Sequence, residues 1–284
     1  MIGFPQAVLA GAVDYAGLFP PAGLSMPEVV ANYAEYRAGA ERWALGRLVV
    51  PASRLGECLE TAQPYLRSGD PWRISALVPD PSALGALGPF NAAQGERMLV
   101  DAAEGRAADP AEVDALAAAA PVGVAVFVEL SVNDALPACL ARVKAAGWSA
   151  KIRMGGVVPG AIPPVDDVVR FMRACRDADV TFKATAGLHH PLRGEYPLTY
   201  AAAAPRATMH GYLNVFAAAG LLARGGTDEQ LRGALAGSSA SLGIPDDRDE
   251  ADALARAARG TLHGFGSCSF REPLDDLVPL GLAA

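Results

Sequence analysis

Two lysines fall in what read as consecutive β-strands. Lys151 lies in AKIRMGG (150–156) and Lys183 in TFKATAG (181–187). The period-two alternation of a strand puts Lys151 and Arg153 on one face, with Ile152 on the other. It likewise groups Lys183, Thr185 and Gly187 against Phe182 and Ala184. Adjacent strands run ~4.8 Å apart, so lysines on one face bring their amines together. A neighbouring cation lowers an amine's pKa. A neutral lysine attacks carbonyls and forms a Schiff base, whose protonated form accepts the electrons of an adjacent C–C bond. Carboxylates come from other strand-like runs: Asp14 in AVDYAG, Asp101 in MLVDAA (98–103) and Glu129 in VAVFVEL. The expected catalytic set is Lys151, Lys183 and Asp101, with Asp101 moving protons. Which lysine is the nucleophile is left open.

Other side chains suggest binding roles. Arg153 can grip a carboxylate or phosphate through two parallel hydrogen bonds. Thr185 and Gly187 share the Lys183 face, and Glu129 and Asp14 are expected to converge on the same mouth. His189 continues the same alternation, with His190 beside it, and His210 follows in the same stretch. Asn214 is four residues after His210, one helical turn on the same face. Ser267 precedes Cys268 in the last strand-like run and is expected to point inward near Phe265. A metal site built on these histidines and the carboxylates is the rival reading, although their spacing matches no strong zinc pattern. Neither GxGxxG nor GxxxxGK[ST] occurs, so nucleotide binding has little support.

These residues need a frame. Eight β-like runs start near residues 12, 47, 73, 98, 124, 150, 181 and 262, with helical runs between them. Pro27 marks a helix start at 26–39, Asp109–Pro110 another, and Val165, Val168, Val169, Met172 and Cys175 form a helical stripe. Most spacings suit βα units of about 30 residues. The expected fold is α/β: a single (β/α)8 TIM barrel over 1–284, with an open doubly wound sheet as rival. The last interval is longer, and 188–260 is expected as a helical and loop insertion on the catalytic face, or as an oligomerisation insert. The Gly/Pro-rich GLFPPAGLS would form a loop at the mouth, with Phe19 toward a substrate.

Barrel interiors are filled by branched apolar side chains. Charges within strands must therefore be paired, neutralised or functional. A purely structural ion-pair layer is the plain alternative to a site.

SAKIRMGG, VTFKATAGLHHPLR and HGFGSCSF resemble the last three strands of class I, Schiff-base aldolases of the deoxyribose-phosphate aldolase type. The resemblance implies Lys151 as the Schiff-base residue, Lys183 as its electrostatic partner and Asp101 as acid/base. It also implies that Gly187 and Gly266–Ser267 approach a substrate phosphate. It covers roughly 120 residues and departs from the family at Ile152, Arg153 and Met154, at Leu188, and in the long final interval. DYAGLFPPA and FKATAGLHHP resemble signatures of a bacterial barrel family.

Composition narrows the setting. The 284 residues are 51% hydrophobic and 19% charged, with a net charge of -7, which argues against disorder and against a general nucleic-acid binder. No apolar run reaches the ~20 residues of a membrane span, and the N-terminus lacks the charged region of a signal peptide. Cys58, Cys139, Cys175 and Cys268 form no CxxC pair and read as reduced thiols of a cytoplasmic protein. The expectation is a lyase without a cofactor, acting on a small carbonyl compound, neutral or bearing a phosphate or carboxylate. A metal-assisted lyase, isomerase or hydrolase and a non-catalytic binding barrel are the alternatives. A homo-oligomer is compatible with all three.

Overall fold

The computed structural model describes residues 3–238 and 242–282. Eight parallel strands close into a barrel: β1 (Val13–Tyr15), β2 (Leu45–Pro51), β3 (Trp72–Leu77), β4 (Met98–Ala107), β5 (Ala125–Leu130), β6 (Ser149–Arg153), β7 (Phe182–Thr185) and β10 (Leu262–Ser267). Each neighbours the next in that order, and β10 pairs with β1 to complete the circle. The protein is a (β/α)8 barrel. Two further strands, β8 (Gly194–Pro197) and β9 (Arg206–Met209), form a separate antiparallel hairpin.

The helices are α1 (Phe4–Leu9), α2 (Met26–Ala38), α3 (Leu55–Ala62), α4 (Leu87–Gln94), α5 (Pro110–Ala119), α6 (Leu136–Ala145), α7 (Val165–Asp177), α8 (Tyr212–Ala223), α9 (Asp228–Ala236), α10 (Arg248–Thr261) and α11 (Arg271–Asp275). Local chemistry fixes several starts. Ser25 and Glu28 form a capping box on α2, and Asp109 accepts the Glu112 amide with Pro110 leading α5. α7 buries Val168, Val169, Phe171, Met172 and Cys175, the face that the sequence stripe requires. Before α6, Asn133 caps a turn by accepting the Ala135 amide, and Pro137 lies in the first turn of the helix.

The long final interval divides in two, which corrects the expectation that 188–260 lies as a whole on the catalytic face. Its first part, through the β8–β9 hairpin, sits at the mouth. Its helices pack on the flank. α8 is apolar nearly all round and buried, as a helix covered on every side must be. Tyr212 and Phe216 of α8 pack on Phe265 of β10, with ring centroids 5.2 and 6.4 Å away. α10 covers α8 and also touches α1. Among the described residues no helix is long and apolar enough to cross a membrane.

Candidate active site

β6 and β7 pair with Lys151 directly opposite Lys183. Both side chains turn into the barrel and are buried. Glu104 of β4 stands between them, accepting from Lys151 Nζ at 2.9 Å and from Lys183 Nζ at 2.6 Å. Ser75 of β3 donates to the same carboxylate at 2.7 Å. Asp14 of β1 is the second partner of Lys183, and its other oxygen accepts the Arg47 amide at 2.5 Å. Room for Asp14 comes from Gly46, where a Cβ would lie 2.1 Å from the carboxylate oxygen. Glu129 of β5 is the second partner of Lys151 at 3.0 Å and also holds Arg153 at 3.0 Å. The Phe127 ring lies 5.4 Å from Lys183 Nζ.

The electrostatics follow from this pairing. Burial acts against the Lys183 ammonium, but Asp14 and Glu104 outweigh it and raise its pKa. Burial also acts against the Glu104 carboxylate, yet Lys183 and Lys151 hold it well below the usual carboxylate range. Glu129 is lowered in the same way, against burial, by Lys151 and Arg153. Lys183 is therefore a fixed cation rather than a neutral amine.

Above this network a cavity of about 360 Å³ opens at the C-terminal ends of the strands, the end where barrel enzymes carry their chemistry. Lys151 and Glu104 form part of its floor, whereas Lys183, Asp14 and Glu129 do not reach it. Arg153, Thr185 and Gly187 border it, as the strand alternation anticipates. Alternation stops at Ala186 and Gly187, which have φ of 59° and 70°. Gly187 there meets Gly155 so closely that a Cβ on it would lie 2.7 Å from the Gly155 Cα. This turn sends His189 and His190 along the rim. Phe19, Pro20 and Pro21 form one wall, which places GLFPPAGLS at the mouth.

The rim holds a second polar cluster. His189 Nδ1 lies 3.0 Å from Glu272 and 3.9 Å from the Cys268 sulfur. Tyr200, just beyond β8, donates to Glu272 at 3.1 Å. Burial acts against the His189 imidazolium, but Cys268 and Glu272 outweigh it and its pKa rises to about 9. His190 bonds Asp276 at 2.6 Å and stacks on Tyr196.

Four expected site residues lie elsewhere. Asp101 bonds Arg47 at 2.6 Å and Arg73 at 2.7 Å, away from both lysines and from the cavity. The cause is a register shift in β4: Val100 pairs with Ile74, but Ala102 pairs with Ser75. The extra residue at Asp101 resets the alternation, and Glu104 takes the inward place. His210 donates from Nε2 to the Pro163 carbonyl at 2.8 Å and meets Arg193 through Nδ1, with burial lowering its pKa. Asn214 accepts the Arg193 amide and donates to the Ala234 and Gly237 carbonyls. Both residues tie the excursion together. Ser267 is buried on the side away from the cavity, because Gly266 is the inward residue of β10. Phe265 has the same outward parity and packs on α8.

Glu104, Cys268, Tyr200 and Glu272 complete the site and were not among the expected members. Glu104 lies one residue beyond the expected strand end, and only the register shift gives it its place. One compositional signal was available. Of the 24 Lys and Arg residues only Lys144, Lys151 and Lys183 are lysines, and two of the three meet inside the barrel. Among the described residues no group of three or more His, Cys, Asp or Glu is arranged to hold a metal ion.

No family model matches the chain, and no curated protein matches it. Among solved structures it is similar to the YdjI aldolase from Escherichia coli K12, with 13% identity, 90% of this chain and 93% of that one covered, and a TM-score of 0.38. It is also similar to nitroalkane oxidase from Streptomyces ansochromogenes, with 15% identity, 78% and 65% covered, and a TM-score of 0.36.

Proposed function

We propose that the chain is a lyase of the aldolase type, making or breaking a C–C bond beside the carbonyl of a small compound through an imine on Lys151. The observation that carries this reading is the inequality of the two lysines. The Lys151 amine is at the floor of the cavity, and Lys183 is sealed beneath it by Asp14 and Glu104. An amine attacks a carbonyl only in its neutral form, so Lys151 gives up a proton first. As the C–N bond forms, the carbonyl oxygen takes up that proton and a second one from the nitrogen and leaves as water, and the resulting iminium is positive where the ammonium was. Glu104 and Glu129 already face that nitrogen, so its charge is accepted by groups in place before the reaction starts. Glu104 is held anionic by the two lysines and faces that nitrogen as a counter-ion.

Residue choice supports the same reading. The chain uses arginine nearly everywhere it places a cation. Arginine stays charged, whereas lysine can deprotonate and react. A purely structural ion pair would not require the rarer residue.

Borohydride reduction in the presence of aldehydes and 2-keto acids, followed by peptide mass spectrometry, tests the proposal. The expected result is a reduced adduct on Lys151 that is missing from Lys151→Met. An adduct confined to Lys144, or turnover that survives Lys151→Met, overturns it.

A further inference from the structure

The charges around the cavity cancel. Lys151, Lys183, Arg153 and His189 face Glu104, Asp14, Glu129 and Glu272, and every cation in that set has a carboxylate within the set. Counting His189 as a cation accords with its raised pKa of about 9. A phosphate dianion arriving here would meet no uncommitted positive charge and would have to compete with a carboxylate for each cation, Arg153 included, whose side chain is 53% exposed and whose partner Glu129 keeps Lys151. Phosphate recognition ordinarily relies on arginine or lysine free to bind it, often bidentately.

The walls between floor and rim are apolar. Phe19 and Pro21 come from the loop after β1, Leu77 from the end of β3, Val157 from the segment after β6, and Leu198 and Met209 from the hairpin. Leu198 and Met209 are each only 3% exposed, so they are fixed by packing rather than free to swing away. A polyhydroxylated chain lying along such walls would lose hydrogen bonds to water without replacement. An apolar chain would gain from the same contact. Pockets that select apolar ligands combine a mostly hydrophobic lining with a few placed polar groups.

We propose that the ligand of this cavity is an unphosphorylated carbonyl compound with a branched or aromatic body. The body lies between the loop after β1 and the β8–β9 hairpin, and the carbonyl faces Lys151. The inference rests on the imine reading for the carbonyl end only, and the body is assigned by the walls and by the charge balance.

Calorimetry with molecules that lack a carbonyl separates the two. The probes are 2-phenylethanol and 3-methylbutan-1-ol against glycerol 3-phosphate and inorganic phosphate, with the full chain at neutral pH. The expected result is that the two alcohols bind at least about tenfold more tightly than either phosphate. Phe19→Ser and Val157→Ser, both at partly exposed positions, are expected to weaken the alcohols about tenfold in combination, with circular dichroism unchanged. Tighter binding of either phosphate, or alcohol binding indifferent to both substitutions, overturns the ligand class. Absence of alcohol binding overturns it as well. Borohydride trapping with phenylacetaldehyde is read separately. Alcohol binding without any adduct sinks the imine and keeps the ligand class, whereas an adduct formed best with glyceraldehyde 3-phosphate does the reverse.

Discussion

Strand β4 carries two acidic residues three positions apart, and each anchors a charged cluster of a different kind. Asp101 gathers Arg47 and Arg73 toward the N-terminal ends of β2 and β3. Glu104 gathers Lys151 and Lys183 in the closed interior, beneath the cavity. The first cluster is partly solvated, with side-chain exposures of 19%, 54% and 18% for Arg47, Arg73 and Asp101. The second is almost dry, at 3% or less for its two lysines and Glu104. Guanidinium groups keep their protons and bind in a fixed planar fork, whereas an amine can become a nucleophile. One cluster fastens the barrel, and the other holds one amine, that of Lys151, at the floor of a cavity.

The sharpest way to break this contrast is to exchange the cations. Lys151→Arg keeps the charge beside Glu104 and Glu129 but removes the reactive amine. Trapping of a carbonyl at this position is expected to vanish entirely. Arg47→Lys, made in the other cluster, is expected to cost about 1 kcal/mol or less, because that pair is partly exposed. Denaturant unfolding and borohydride reduction read the two variants. Trapping retained in Lys151→Arg would remove the distinction.

Next in size is the stability held in the dry cluster. Lys183→Met leaves Asp14 and Glu104 without their shared cation, and Glu104→Gln takes from both lysines a carboxylate they share. Breaking a buried pair by removing one partner costs about 3–5 kcal/mol. Each variant is expected to lose that much in urea or guanidinium unfolding. A loss below about 1 kcal/mol would mean that water already screens the cluster. Asp101→Asn is expected to cost only about 1 kcal/mol, with trapping at Lys151 unchanged.

The contrast also explains what the sequence could and could not disclose. The barrel was readable because apolar runs of strand length recur at βα spacing, and helix starts such as Asp109–Pro110 announce themselves locally. Lys151 and Lys183 were readable because straightforward alternation on β6 and β7 is undisturbed. Asp101 was misplaced because alternation fails there. A register shift depends on how β4 fits β3, a long-range match that no local pattern records. Glu272 and Tyr200 escaped for a similar reason. Glu272 reaches His189, 83 residues earlier in the chain, and Tyr200 reaches Glu272 only once α11 and the hairpin fold together at the mouth. His210 and Asn214 have the right chemistry for a site, but their polar atoms are taken up by the Pro163 carbonyl and the Arg193 side chain in one case and by backbone groups of the excursion in the other.

A cation of intermediate character carries the contrast to the rim. His189 can lose its proton at an accessible pH, unlike the arginines around Asp101, and it pairs with a carboxylate that is 27% exposed on its side chain. An unfolded histidine titrates near ~6.5, and in the fold the value rises to about 9. A raised folded pKa means that the native state holds the proton more tightly. The resulting stability is fully present below about pH 6.5 and is lost as the pH rises through about 9. Glu104 and Glu129 behave in the opposite sense. Their lowered values give stability that is present above the ordinary carboxylate range and lost only in acid, as pH falls through the folded values. Lys183, raised from an already high value, gives stability that disappears only on the far alkaline side. Between about pH 6.5 and 9 Glu104, Glu129 and Lys183 contribute no pH dependence, and comparison with a His189 variant cancels what the buried thiols and the other histidines contribute. Unfolding midpoints of the protein and of His189→Gln across that range test this. The protein should lose stability relative to the variant as pH rises, and parallel curves would show that His189 is not held as an imidazolium by Cys268 and Glu272.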